Sequence, residues 1–170
     1  MARSSVHRYK PDPVPKNVLQ RILKMASHAP SWGNRQCWRF IVVDDPTNKA
    51  FISKETADPR LAQACEEAPC LIVLCALPSE SLSDNGIDYY VFDAALAMEN
   101  LVLAAATEGL GTCILGSYHE GKIKRLLGVP KAVRVVAITP LGYPAETPVP
   151  TSRKPLSEQT YRNGWGSSYR

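Results

Sequence analysis

The stretch APSWGNRQCWRF, residues Ala29 to Phe40, joins an amphipathic segment to a short apolar run. Pro30 has no N–H and restricts the residue before it, so a helix ends here. Gly33 frees the backbone, allowing neighbouring N–H groups to point one way. Ser31, Asn34 and Gln36 are hydrogen-bonding side chains suited to the edge of a flat polar heterocycle, and Trp32 and Trp38 are aromatic plates that would flank one. The same residues also describe a turn with two core tryptophans and capping polar groups. Both readings fit the stretch alone, although loops on a rigid scaffold are favoured places for function.

Regular elements are legible on either side. Pro15 opens a helix in which Leu19, Ile22, Leu23 and Ala26 recur at helical spacing, and His28 ends it beside the negative end of the helix dipole. Arg39 to Val43 reads as a buried strand. Asp45-Pro46 opens a helix to about Glu55, and Asp58-Pro59 opens another that ends before Pro69. Cys70 to Leu77, CLIVLCAL, is apolar and β-rich enough for a central strand. A polar loop, Pro78 to Gly86, leads into the longest helix, Asp88 to Gly109. Its alanines keep it slim, and it is apolar on more than one side, which calls for burial on both sides, most simply in a dimer. His119 to Leu127 is a short helix closed by Gly128, and Val133 to Thr139 is a further strand.

Gly109 to Gly116, GLGTCILG, has the look of a dinucleotide fingerprint in the wrong place. That fingerprint needs a strand before it and a helix opening within it. Here a helix precedes and a short strand, TCIL, is enclosed. Gly109 is better read as a helix C-cap and Gly116 as a point where backbone approaches a ligand.

At 170 residues the chain is one domain, 1–170, with 145–170 as an extended tail. A composition 45% hydrophobic and 21% charged is that of an ordinary globular protein. No run is taken as long and apolar enough to cross a membrane, and MARSSVHRYK has no apolar core of a secretory signal. Five cysteines without CxxC spacing read as buried, reduced thiols of a cytoplasmic protein. The net charge of +4 is uneven: residues 1–24 and 151–170 together carry +8 and the middle −4. The two ends are either solvated termini or converge on an anion. The charge is too small and too dispersed for a nucleic-acid partner. At the start of the chain, Arg3, Ser4, Ser5 and His7 would present a guanidinium, two hydroxyls and an imidazole to a phosphate, though a basic terminus is also commonly disordered.

Several stretches, in chain order, resemble the flavin-dependent nitroreductase family. Arg3 to Tyr9 is similar to the family's opening Arg-x-Ser-x-(Arg/Lys)-x-(Phe/Tyr), with His7 at the second basic position. Ala29, Pro30, Ser31, Asn34, Gln36 and Trp38 follow its Ala-Pro-Ser-x-x-Asn-x-Gln-Pro-Trp segment, with Cys37 where the family usually has Pro. Asp93, Ala94, Ala95, Ala97, Asn100 and Leu101 resemble its DAA-x-A-x-x-N-Leu helix, and Leu141-Gly142-Tyr143-Pro144 its closing (Leu/Val/Ile)-Gly-Tyr-Pro. The order makes the signals far stronger together than apart.

The resemblance implies an α+β, three-layer fold: a central, mostly antiparallel sheet of about four strands flanked by helices. It implies a homodimer with FMN in two interface sites and a C-terminal extension reaching over the partner subunit. Arg3, Ser4, Ser5, His7, Arg153 and Lys154 would then hold the phosphate and ribityl chain. Pro30, Ser31, Trp32, Asn34 and Gln36 would line the isoalloxazine, some from the partner, with backbone at Leu115 and Gly116 on its N5 and O4 edge. The implied reaction is ping-pong two-electron transfer from NADH or NADPH to a nitroaromatic, quinone or similar small acceptor. The cofactor carries that chemistry, so no side chain is assigned as acid, base or metal ligand. Dehalogenating, flavin-fragmenting and dehydrogenating relatives share the fold, and a flavin binder without turnover stays open. Family members often carry a helical excursion where this chain has only PSESLSDNG, so its cofactor face is expected to be more open, or covered by something else.

Overall fold

The computed structural model describes residues 3–148 and 150–169. Five helices surround a sheet: α1 Lys16–Ser27, α2 Pro46–Lys54, α3 Pro59–Glu67, α4 Tyr89–Thr107 and α5 Glu120–Leu127. The strands are β1 Trp38–Val43, β2 Cys70–Ala76, β3 Ser83–Asp84, β4 Ile87–Asp88, β5 Gly111–Thr112 and β6 Arg134–Gly142. The main sheet has order β1-β2-β6-β5 and every pairing in it is antiparallel.

β2 explains the layers. All seven of its residues are buried, and successive side chains point to opposite faces. Cys70, Ile72, Leu74 and Ala76 pack with Ile22, Ala26, Ala94, Ala97 and Leu101, from α1 and α4. Leu71, Val73 and Cys75 pack with Ile52, Ala64, Cys65 and Ile123, from α2, α3 and α5. The sheet is therefore the middle of three layers, and the expected α+β architecture holds. The Asp45 and Asp58 side chains cap α2 and α3 as their Asp-Pro steps suggest.

Three local expectations need correction. Residues 78–86 are more than a polar loop: a 3-10 turn at Pro78–Glu80 leads into the β3–β4 hairpin. The expected strand TCIL is only Gly111–Thr112, after which Leu115 alone bridges Ile138. β6 does not stop at Thr139 but runs through Pro140 to Gly142. Ile138 exchanges backbone hydrogen bonds with Leu115, so the Pro140 nitrogen faces the same side, where β5 leaves it no partner. A proline is tolerated there.

α4 also corrects the reading of membrane-crossing potential. Its 19 residues are long and apolar enough to span a bilayer by composition. It packs instead against α1 and the sheet, with Asp93, Ala94, Ala97, Met98, Leu101, Val102 and Ala105 buried.

Candidate functional site

The N-terminal segment is pinned in place. The Val6 N–H donates to Thr112 O at 3.0 Å, and Ser5 bridges Thr112 in parallel. Further on, Lys10 N–H donates to Tyr143 O, and Ala145 N–H to Arg8 O. Arg8 Nε and Tyr9 N–H both donate to Glu67, at 2.9 and 3.1 Å. Burial opposes the Glu67 charge, yet the Tyr9, Arg8 and Gln63 donors hold its carboxyl below the usual value. Gly111 permits the close approach: a Cβ there would lie 2.5 Å from Val6 Cγ2. Arg3, Ser5 and His7 are thereby laid along the edge of β5.

They meet Cys113 there. His7 Nε2 lies 3.4 Å from Cys113 Sγ. Burial pushes the Cys113 thiol up, the Ser5 hydroxyl opposes this, and the charges of Asp58, Arg60 and Arg3 also act on it. Arg60, at the start of α3, is thus an exposed guanidinium near the strip that the sequence reading did not single out.

The chain next reaches Leu115 and Gly116, which differ. Both backbone groups of Leu115 are paired with Ile138 and its side chain is fully buried. Gly116 is exposed, nothing lies within 4 Å of where its Cβ would be, and its N–H has no partner among the described residues. The donor available to a ligand at this place is therefore Gly116 rather than Leu115. Beside it, Tyr90, Tyr118, Glu120 and Arg134 line a cleft of about 290 Å³, in which Arg134 and Glu120 form a two-pronged ion pair at 2.9 and 3.0 Å.

The second group of expected residues sits at the opposite edge of the sheet, ahead of β1. Pro30, Trp32, Asn34 and Gln36 are exposed and Ser31 half-buried. Ser31 Oγ accepts from the Gln36 N–H at 2.9 Å, and Gln36 Nε2 donates to Asn34 O and Oδ1. Gly33, Asn34 and Gln36 all have positive φ, at 55°, 54° and 51°. Arg35 lies over the Trp32 ring, 5.6 Å from its centroid. Arg39 Nη1 donates to Gln36 O and Trp38 O, while Nη2 reaches Glu80 at 2.9 Å. Trp38 itself is a core residue.

β2 and β6 separate the two groups within one chain. The tail adds a third piece. Among the described residues Arg153 bonds only to Thr151 and Ser152, and Lys154 is exposed, its carbonyl accepting from Gln159. No hydrogen bond among the described residues joins either to the N-terminal strip. Ser4 and Arg3 together line a largely apolar cavity of about 270 Å³ between α4 and Pro144, Pro148 and Pro150. Asp93, Arg39 and Cys113 were not anticipated as site residues. Asp93 carried the clearest signal, as the one charge in the apolar run YYVFDAALAM.

Layer order, sheet order and the strip along β5 together define the nitroreductase fold. A nitroreductase family protein of Clostridium novyi NT matches with TM-score 0.83 and 37% identity, covering 98% of this chain and 92% of that one. An FMN-dependent nitroreductase of Clostridium difficile R20291 matches with TM-score 0.83 and 27% identity, covering 96% of each. In sequence, an NADH dehydrogenase of Thermus thermophilus is 32% identical over 188 residues, 92% of this chain and 90% of its own length. An iodotyrosine deiodinase of Thermotoga neapolitana is 28% identical over 182 residues, 94% and 92% of the two lengths. The sequence profile of the Nitroreductase family matches residues 1–143, and the chain belongs to that family.

Proposed function

We propose that this protein is a homodimeric, FMN-dependent oxidoreductase that takes reducing equivalents from NADH or NADPH and delivers them to a nitroaromatic, quinone or similar small acceptor. One observation carries the reading: Ser5 and His7 are held in a row along the end of β5, with the Arg3 charge acting on the same Cys113, three residues ahead of the unpartnered Gly116 N–H. That donor set fits FMN, with a guanidinium for the phosphate, a hydroxyl and an imidazole for the ribityl chain, and an amide for the ring edge. Ser31, Trp32, Asn34 and Gln36 stand at the far edge of the sheet, so they would complete the ring site from the second copy. Val91, Phe92 and Leu103 are large apolar side chains left exposed on α4, as an interface between copies would require. Arg153 and Lys154 would come to the phosphate from the tail, whose Leu156, Trp165 and Tyr169 are also exposed.

FMN held by these residues would supply the two-electron chemistry between the nicotinamide and the acceptor. The chain's own part is to anchor, orient and polarise. An N–H aimed at the ring edge would stabilise negative charge developing there. The deiodinase relative supports a second reading, reductive dehalogenation at the same site.

The test is to add FMN to purified protein, record the visible spectrum, then add NADH and NADPH anaerobically. Uptake followed by bleaching supports the proposal, and a panel of nitroaromatic, quinone and halophenol acceptors separates the two chemistries. Uptake without bleaching would leave a flavin binder without turnover. A protein that takes up no FMN would sink the cofactor reading altogether.

A further inference from the structure

We infer that Asp93 is the positioning residue that sets the shape of the loop from Ser31 to Cys37; its functional meaning rests on the flavin role proposed for that loop. Asp93 is fully buried in α4. Its Oδ1 accepts the Trp32 N–H at 2.8 Å. Its Oδ2 accepts from Ser81 Oγ at 3.1 Å and from Cys37 Sγ at 3.8 Å. Among the described residues no cation pairs with it. A carboxylate out of water is tolerated only where donors surround it. These donors come from three places: the two ends of the loop and the turn after β2.

The loop needs such a tie. Asn34 and Gln36 lie in the left-handed region that side chains avoid, with Gly33 beside them. Such conformations persist where the surroundings over-determine them, and they gather at functional sites. The Arg39 contacts hold the loop from outside, but they are exposed and screened. The Asp93 side chain is fully buried, and its contacts are part-buried or buried, where charge-assisted hydrogen bonds are stronger. Cys37 contributes a donor that proline, the residue the family resemblance expects there, would lack. Asp93 touches no ligand in this scheme. It keeps Ser31, Trp32, Asn34 and Gln36 in one arrangement and links that arrangement to α4.

The experiment has two arms, each comparing wild type with Asp93→Asn. The variant keeps an acceptor for the Trp32 N–H but replaces the oxygen that takes the Ser81 and Cys37 donors. In the flavin-free protein, amide exchange across 31–37 is expected to quicken about tenfold, with β2 and β6 unchanged. In the binding arm, FMN and riboflavin are both expected to weaken about tenfold, since the loop would face the ring they share. Arg3→Ala, in contrast, would weaken FMN alone. Exchange that is unchanged at 31–37, or quickened equally throughout the sheet, would overturn the inference. A wild type that binds neither flavin, with exchange at 31–37 still responding, would sink the flavin reading and leave the positioning role standing. If Asp93→Asn does not fold, Ser81→Ala and Cys37→Ala each remove one donor and carry the same comparison.

Discussion

His7 and Cys113 face each other with 3.4 Å between Nε2 and Sγ, at the place where the N-terminal strip crosses the end of β5. Cys113 is 6% exposed, and the other four thiols less. Burial raises it above the ordinary thiol value of 9.0. Cys113 is therefore expected to alkylate slowly, ahead of the other cysteines, and faster as pH rises. Saturating FMN should slow it further by covering His7. Peptide mass spectrometry after timed iodoacetamide treatment checks this; another cysteine reacting first would contradict the geometry.

Gly111→Ala is expected to cost about 1–3 kcal/mol, the range for overpacking a tight site. Its new methyl would meet three Val6 side-chain atoms, at 2.5 to 2.9 Å. Because Val6 lies between Ser5 and His7, FMN affinity should fall even at temperatures where the variant is fully folded. A thermal melt and a flavin titration on the same sample separate the two effects.

Phe92 and Leu103 are 57% and 47% exposed, and they share an α4 stripe with Leu96 and Glu99. A carboxylate introduced there would have to be desolvated at an interface between copies. Phe92→Asp should weaken self-association by about a hundredfold or more, the scale of an interface hot spot. Sedimentation velocity over a concentration series reads this directly. A wild type that is already monomeric would remove the interface from the proposal.

Stability should fall on the alkaline side. Burial pushes Cys65 up to about 12 and Cys37, Cys70 and Cys75 up to about 11, from 9.0. A thiol raised by folding contributes stability that is intact below its unfolded value and is lost as pH climbs towards the folded one. Denaturation midpoints should hold steady to about pH 8 and drop progressively above about pH 9. Midpoints rising between pH 9 and 11 would show that the thiols are not buried as described.

Much of the fold was legible because the information is local. Asp45-Pro46 and Asp58-Pro59 announce helix starts by capping chemistry, Gly128 closes α5 in the left-handed region, and CLIVLCAL is apolar and β-rich enough for a central strand with neighbours on both sides. What escaped was pairing. β6 continues through Pro140 because β5 leaves its missing N–H without a partner, a fact about a neighbouring strand rather than about the residue.

The site divides the same way. Residue types suited to a phosphate and to an aromatic ring stand in the sequence at Arg3 to His7 and Ser31 to Gln36, since chemistry belongs to side chains. Only the tertiary structure ran the first group along the end of β5, put the second at the opposite sheet edge, and showed that Leu115 has no free backbone donor. It alone brought Trp32, Cys37 and Ser81 to the Asp93 carboxylate. A lone acid in an apolar helix says that donors must exist. Which ones they are depends on contacts between segments far apart in the chain, where burial makes each hydrogen bond obligatory.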